Sequence, residues 1–178
     1  MMRTLLAFST AGVRLGLDAA STVEVVRSVR LVTPPELPPL VRGFMDMGGR
    51  LIPVIRLEKL LGGAETDMGD AAGGDAPLRL TDRVVVARLA DTEVAWVAGA
   101  DMEPLAYRTR DAVPLPADHV LNNCATHVLP QTPPVILLSA EKLLLEGERL
   151  RLAQLRERAA ERLALLEGGA SSDASASA

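Results

Sequence analysis

The residues whose chemistry could matter are few. Cys124 and His127 stand three apart in the stretch NNCATH, beside Asn122 and Asn123. A thiolate next to an imidazole can act as a nucleophile with its base. The order of the surrounding segments instead places NNCATH in a loop before a last strand, with Asn123 suited to a left-handed backbone. That structural reading is favoured. His119 adds a third possible metal ligand, but a fourth at a familiar spacing is missing. Asp67, Asp70 and Asp75 fall in a Gly-rich stretch. Calcium would require alternating oxygens and a closing bidentate Glu, which this stretch does not offer. No Gly-Lys-Ser/Thr opens a helix, so a phosphate loop is not indicated either. The expectation is a protein that is not an enzyme and holds no cofactor and no metal.

Composition narrows the class. The chain has 178 residues, 48% hydrophobic and 24% charged, with a net charge of −4. An acidic balance disfavours nucleic acid, which demands a basic face. Phe8, Phe44, Trp96 and Tyr107 are the whole aromatic content, too little for a base-stacking platform. The single cysteine excludes an internal disulfide and fits a reducing compartment. No apolar run approaches the ~20 residues of a membrane span. A soluble, cytoplasmic protein without membrane insertion is expected.

The elements that must position any site read as short strands separated by turn signals. Residues 5–9 and 13–18 flank Thr10-Ala11-Gly12, a hairpin signal. Asp18 can cap a short helical turn before residues 23–27, where Glu24 reads as a solvated residue at a helix end. Residues 29–32 are β-branched and apolar. In TPPELPP, residues 33–39, four prolines remove donors and fix φ, so an extended surface loop follows. Residues 43–47 and 50–55 read as two strands around Gly48-Gly49, which suits a two-residue primed turn. Pro53 argues for an edge or bulge there. Alternation sets Leu51, Pro53 and Ile55 on one face and Ile52, Val54 and Arg56 on the other, the Arg56 face being taken as exposed.

Residues 62–77 form a flexible loop on composition. Strands at 83–89 and 93–98 flank a second hairpin, Val113-Pro114-Leu115-Pro116 is a second proline connector, and residues 134–138 form a buried strand. A helix is expected over 139–167. Leu152, Leu155, Ala159, Leu163 and Leu166 form one stripe on it. The stripe either packs on its own barrel or, through 150–167, meets a partner helix or a second copy. Gly168-Gly169 can end the helix, and 168–178 read as a disordered tail. Repetition of element order suggests two β subdomains, one on either side of the 62–77 loop.

These residues resemble a known family. Thr33-Pro34-Pro35 through Leu40-Val41-Arg42-Gly43, then Leu51-Ile52-Pro53-Val54-Ile55 and Leu57, are similar to the CheW-like domain. Glu24 and Val25 fit its V-x-E-V element, Gly43-Phe44-Met45-Asp46-Met47 its G-V-I-N-L. Residues 136–144 fit its closing I-L-L-D-x-E-K-L-L. The resemblance covers residues 2–145. It departs at several positions: Gly48 replaces the usual Arg, Asp46 the usual Asn, Arg56 the usual acid and Thr22 a usual Val, and Val94-Ala95-Trp96-Val97-Ala98-Gly99-Ala100-Asp101 stands where the family often reads V-G-L-L-V-D-x-V.

The resemblance implies an all-β fold of two small SH3-like five-stranded β-barrel subdomains side by side, residues 1–145, followed by the C-terminal helix. It also implies a non-catalytic adaptor joining the cytoplasmic tip of chemoreceptors to the regulatory domain of a CheA-type histidine kinase at receptor arrays. The partner-binding residues it points to are Glu24, Val25, Gly43, Asp46, Gly48, Arg50, Ile52, Pro53, Val54 and Arg56. On this reading the β hairpin is an apolar docking edge, and Val54→Asp should weaken binding without unfolding the protein. Two other readings stand beside it. One is a diverged adaptor that binds a single partner or serves a motility or developmental output, favoured by Gly48. The other is a small β-barrel enzyme using Cys124 and His127.

Overall fold

A computed structural model describes residues 1–10, 12–27, 29–35, 37–60, 78–89, 92–116, 121 and 124–172. The loop at 62–77 with its three aspartates, His119, Asn122, Asn123 and residues 173–178 lie outside the described residues. Eleven strands run β1 (Met2–Thr10), β2 (Val13–Asp18), β3 (Thr22–Arg27), β4 (Val41–Met47), β5 (Arg50–Ile55), β6 (Arg83–Leu89), β7 (Thr92–Val97), β8 (Glu103–Arg108), β9 (Val113–Pro114), β10 (Ala125–Leu129) and β11 (Val135–Leu138). Among the described residues two helices join them, α1 (Leu57–Leu60) and α2 (Glu146–Ser172), with 3₁₀ turns at Ala19–Ser21, Thr109–Asp111 and Ala140–Lys142.

The strands form two sheets in the orders β8-β1-β2-β11-β10-β9 and β3-β6-β7-β5-β4. The first therefore has six strands rather than five. The division also differs from the expected one: neither sheet lies on one side of the 62–77 loop. The first takes its strands from both ends of the chain, through a parallel pair of β2 with β11. The second crosses the loop through a parallel pair of β5 with β7. Sequence order hides this, because parallel neighbours need a long connection while hairpin neighbours announce themselves by their turns.

Each sheet encloses a small core of its own. Met45, Ile52, Val54, Val84, Val86 and Ala95 fill the second sheet. Leu5, Ala7, Leu129, Val135 and Leu137 fill the first. The remaining faces meet in a larger shared core that includes Phe8, Leu15, Leu17, Ile55, Val85, Ala87 and Trp96. Phe8 and Trp96 pack there with ring centroids 6.0 Å apart. Both faces of β6 are thus covered over Val84–Ala87, which is why that stretch is apolar without alternation.

The C-terminal helix starts later than expected. Ser139 makes no side-chain cap to the 3₁₀ turn. The N-terminus of α2 is instead set by Glu148, whose Oε2 accepts from the Leu145 N–H at 2.9 Å, the returning half of a capping box. The helix continues through Gly168-Gly169 to Ser172. Its stripe packs on its own domain: Leu152 joins the shared core, while Leu155, Ala159 and Leu163 lie against Phe44, Leu51 and Leu37.

Candidate functional site

The β4–β5 hairpin is the best-defined candidate surface. Met47 pairs with Arg50, leaving Gly48-Gly49 as a two-residue turn with φ of +62° and +85°. Both glycines occupy the left-handed region that a type I′ turn requires. The Gly49 N–H donates to Asp46 Oδ1 at 2.7 Å, so the aspartate braces the turn. Asp46, Gly48, Gly49 and Arg50 are all exposed. Arg50 Nη1 bonds Glu93 Oε2 at 2.7 Å, and Arg88 Nη2 bonds Glu93 Oε1 at 2.9 Å. The Arg88 hydrogen bond, assisted by Arg50, holds the Glu93 carboxyl below its ordinary value against the opposing effect of burial. Glu93 was not among the residues singled out from sequence. The signal was available in the hairpin register, since Arg88 stands directly opposite Glu93.

Pro53 does not mark an edge. β5 lies between β4 and β7. Phe44 directs both its backbone groups at Val32, 2.7 and 2.8 Å away, so the Phe44–Pro53 pair exchanges no hydrogen bonds. The missing proline donor therefore falls on the β7 side, where pairing begins only at Val54. A central strand accommodates this proline because the ladder is unformed at that position.

The expected exposed face of β5 is not found: both faces of the strand are covered. Ile52 and Val54 are inside the sheet's own core, Val54 being fully buried. Leu51 faces α2 instead. Arg56 is half-buried, and its Nη1 donates to Pro39 O at 3.1 Å and to Val41 O at 2.8 Å. It clamps the proline loop to the hairpin. Gly43 is buried too, and a Cβ there would come within 3.0 Å of Val32 O. Val54→Asp would therefore place a carboxylate in the core, and the expected intact fold is overturned.

Glu24 and Val25 lie on a strand, not at a helix end. β3 is the end strand of its sheet and pairs only with β6 among the described residues. A register shift between Thr22 and Glu24 leaves Val23, Glu24 and Val25 consecutively exposed. A bulge that re-aims side chains gives this result. The strand order puts this edge and the β4–β5 hairpin at opposite ends of one sheet. The structure thus separates the expected site residues into an exposed edge, an exposed turn and a buried set.

Cys124 and His127 do not form a nucleophile pair. Cys124 is buried in the shared core, and desolvation pushes its thiol up from the ordinary value. A protonated buried thiol is a poor nucleophile. The segment expected as a loop is partly strand: His127 sits in β10, opposite Leu137 and Pro114. Among the described residues no helix is long and apolar enough to cross a membrane.

Two curled β sheets around a shared core, one of them with an exposed end strand at β3 and an exposed hairpin tip at Asp46–Arg50, define an all-β domain. The CheW-like domain model matches residues 4–147, and the chain belongs to that family. The fold is also that of the scaffolding protein TtCheW from Thermoanaerobacter tengcongensis. The two share 21% identity over 84% of this chain and 92% of that one, with a TM-score of 0.67. No curated protein matches the sequence.

Proposed function

We propose that the chain is a non-catalytic adaptor of a chemosensory pathway, holding a CheA-type kinase regulatory domain and a chemoreceptor tip in fixed relative orientation in the cytoplasm. The observation that carries this reading is the separation of an exposed edge strand and an exposed hairpin tip at opposite ends of one sheet. The Val23–Glu24–Val25 edge offers two exposed valines around a carboxylate. The Asp46–Arg50 turn offers a charged tip on a stiff hairpin. Membership of the CheW-like family supports the kind of partner, and TtCheW is itself described as a scaffolding protein. Of the expected contact residues, Glu24, Val25, Asp46, Gly48 and Arg50 are the ones a partner could touch. Gly43, Ile52, Pro53, Val54 and Arg56 shape the hairpin that presents them.

Calorimetric titration against the regulatory domain of the organism's own CheA-type kinase, and separately against a receptor-tip fragment, tests the reading. Glu24→Lys and Arg50→Glu should each weaken one of the two interactions by about tenfold, the effect of roughly 1.4 kcal/mol. Parental binding by both variants would remove these sites. One feature favours the single-partner reading: residue 48 is glycine, so the exposed turn offers no side chain where the family has an arginine, although the space around it is open. Receptor binding without kinase binding would establish that alternative.

A further inference from the structure

The helix α2 lies almost entirely beyond the family match, which ends at residue 147, yet it covers one face of the candidate hairpin. Its seat is the outward side of β4 and β5. Phe44 is fully buried there and Leu51 nearly so, with Leu37 at the margin. The helix contributes Leu155, Ala159 and Leu163, spaced four apart. Of these only Ala159 is buried, and the two leucines stay half-exposed. Residues Arg156, Glu157 and Ala160 stand off from Gly49–Ile52 and Glu93, leaving an open groove of ≈ 370 Å³ between helix and hairpin. The N-terminal part is held differently, since Leu152 is buried in the shared core. The arrangement is a helix anchored at one end and lightly seated over the rest.

We propose that this outward face of the β4–β5 hairpin is a helix-docking surface, which α2 occupies in cis and an amphipathic partner helix occupies in trans. The occupant class follows from the occupant seen. The face takes a helix presenting apolar side chains every four residues, the usual helix-in-groove pattern. A partner with a longer side chain at the position of Ala160, which lines the groove together with Arg50, Leu51, Ile52 and Glu93, would fill the space left open. Leu152 would keep α2 tethered while its distal turns move aside. The surface stands on the packing alone. Only the identity of the partner rests on the adaptor reading, in which the receptor tip supplies the helix.

The test uses the full-length chain and two distal variants, Ala159→Asp and the milder Leu163→Gln, each checked by hydrogen exchange for retained protection of the strands. The first probe is a labelled synthetic peptide of residues 146–167. Both variants should bind it at least about tenfold more tightly than the parent, since a face open one part in ten weakens apparent affinity by that factor. Equal binding by parent and variants, or binding by none, overturns the proposal. The second probe is a helical receptor-tip fragment. Tighter binding by the variants supports the trans occupant. Where the parent binds the receptor fragment, unchanged or weaker binding by the variants, with the peptide result intact, overturns it. If neither parent nor variants bind the receptor while the peptide binds the variants, the surface stands and the adaptor reading falls.

Discussion

The hairpins β4–β5 and β10–β11 occupy equivalent places in their sheets. Each joins its sheet through a parallel pair made by its second strand, and each carries a register shift at the same step. Val41↔Ile55, Gly43↔Val54, Phe44↔Pro53 and Met45↔Ile52 correspond to Ala125↔Leu138, His127↔Leu137, Val128↔Ile136 and Leu129↔Val135. Even the outer neighbour corresponds, for Val32 bridges Phe44 as Val113 pairs with Val128. They diverge at the tip. β10–β11 closes with a proline-containing loop after Leu129, whereas β4–β5 adds Asp46↔Leu51 and Met47↔Arg50 before turning at two glycines. They diverge again in cover, since only the first is capped by α2. The shared ladder is what the fold requires. The added rows and the helix are what distinguish the candidate site.

The largest test of that comparison is Val54→Asp. A carboxylate in a fully buried position should cost about 4 kcal/mol or more, comparable with the whole stability of many domains. The protein should lose its cooperative thermal transition, and a folded, soluble variant would contradict the placement of Val54 inside the sheet. Next is the matched pair Phe44→Ala and Val128→Ala. Phe44 is sealed under α2 and should cost about 3–5 kcal/mol, while the half-buried Val128 should cost well under half of that. Equal losses in urea denaturation would mean that the helix does not distinguish the two hairpins. Gly48→Ala comes third. Nothing obstructs its Cβ, so only the backbone penalty at φ +62° should appear, about 1 kcal/mol. Gly48→Asn should recover part of it.

The smallest effect concerns Glu93. Its folded carboxyl lies below the ordinary value of 4.5, so it stabilises the fold above that value and loses this contribution as pH falls through the lower folded value. Glu93→Gln should therefore leave a melting temperature that drops less between pH 5 and pH 3 than the parent's. Parallel curves would show that the Arg50–Glu93–Arg88 cluster does not hold in solution.

The features legible in the sequence were the local ones. Gly48-Gly49 specifies its turn through positive φ, and Asp18 specifies its cap: Oδ1 accepts from the Ala20 N–H at 2.9 Å. The hairpins at β1–β2 and β6–β7 announce themselves by their turns. Edge and face were not legible. Pro53 looks like an edge residue until Val32 is known to take the backbone groups of Phe44. Leu51 and Val54 are equally apolar, and only the position of α2 and the curl of the sheet say which of them faces which core. β8 was missed because Pro104 interrupts an otherwise alternating strand; it lies at the sheet's end, where a missing donor is tolerated.

The parallel joint between β2 and β11 also sets a timetable. β2 is complete at Asp18, but its neighbour begins only at Val135. At a synthesis rate of about 5–20 residues per second, the growing chain carries that edge unpaired for roughly 6–24 s. Leu15 and Leu17, both fully buried in the finished molecule, spend the interval without their cover. An exposed strand edge of this kind is a template for pairing with another chain. The first sheet is therefore completed last, and the fold depends most on protection during the stretch of synthesis in which its earliest strands wait for its final one.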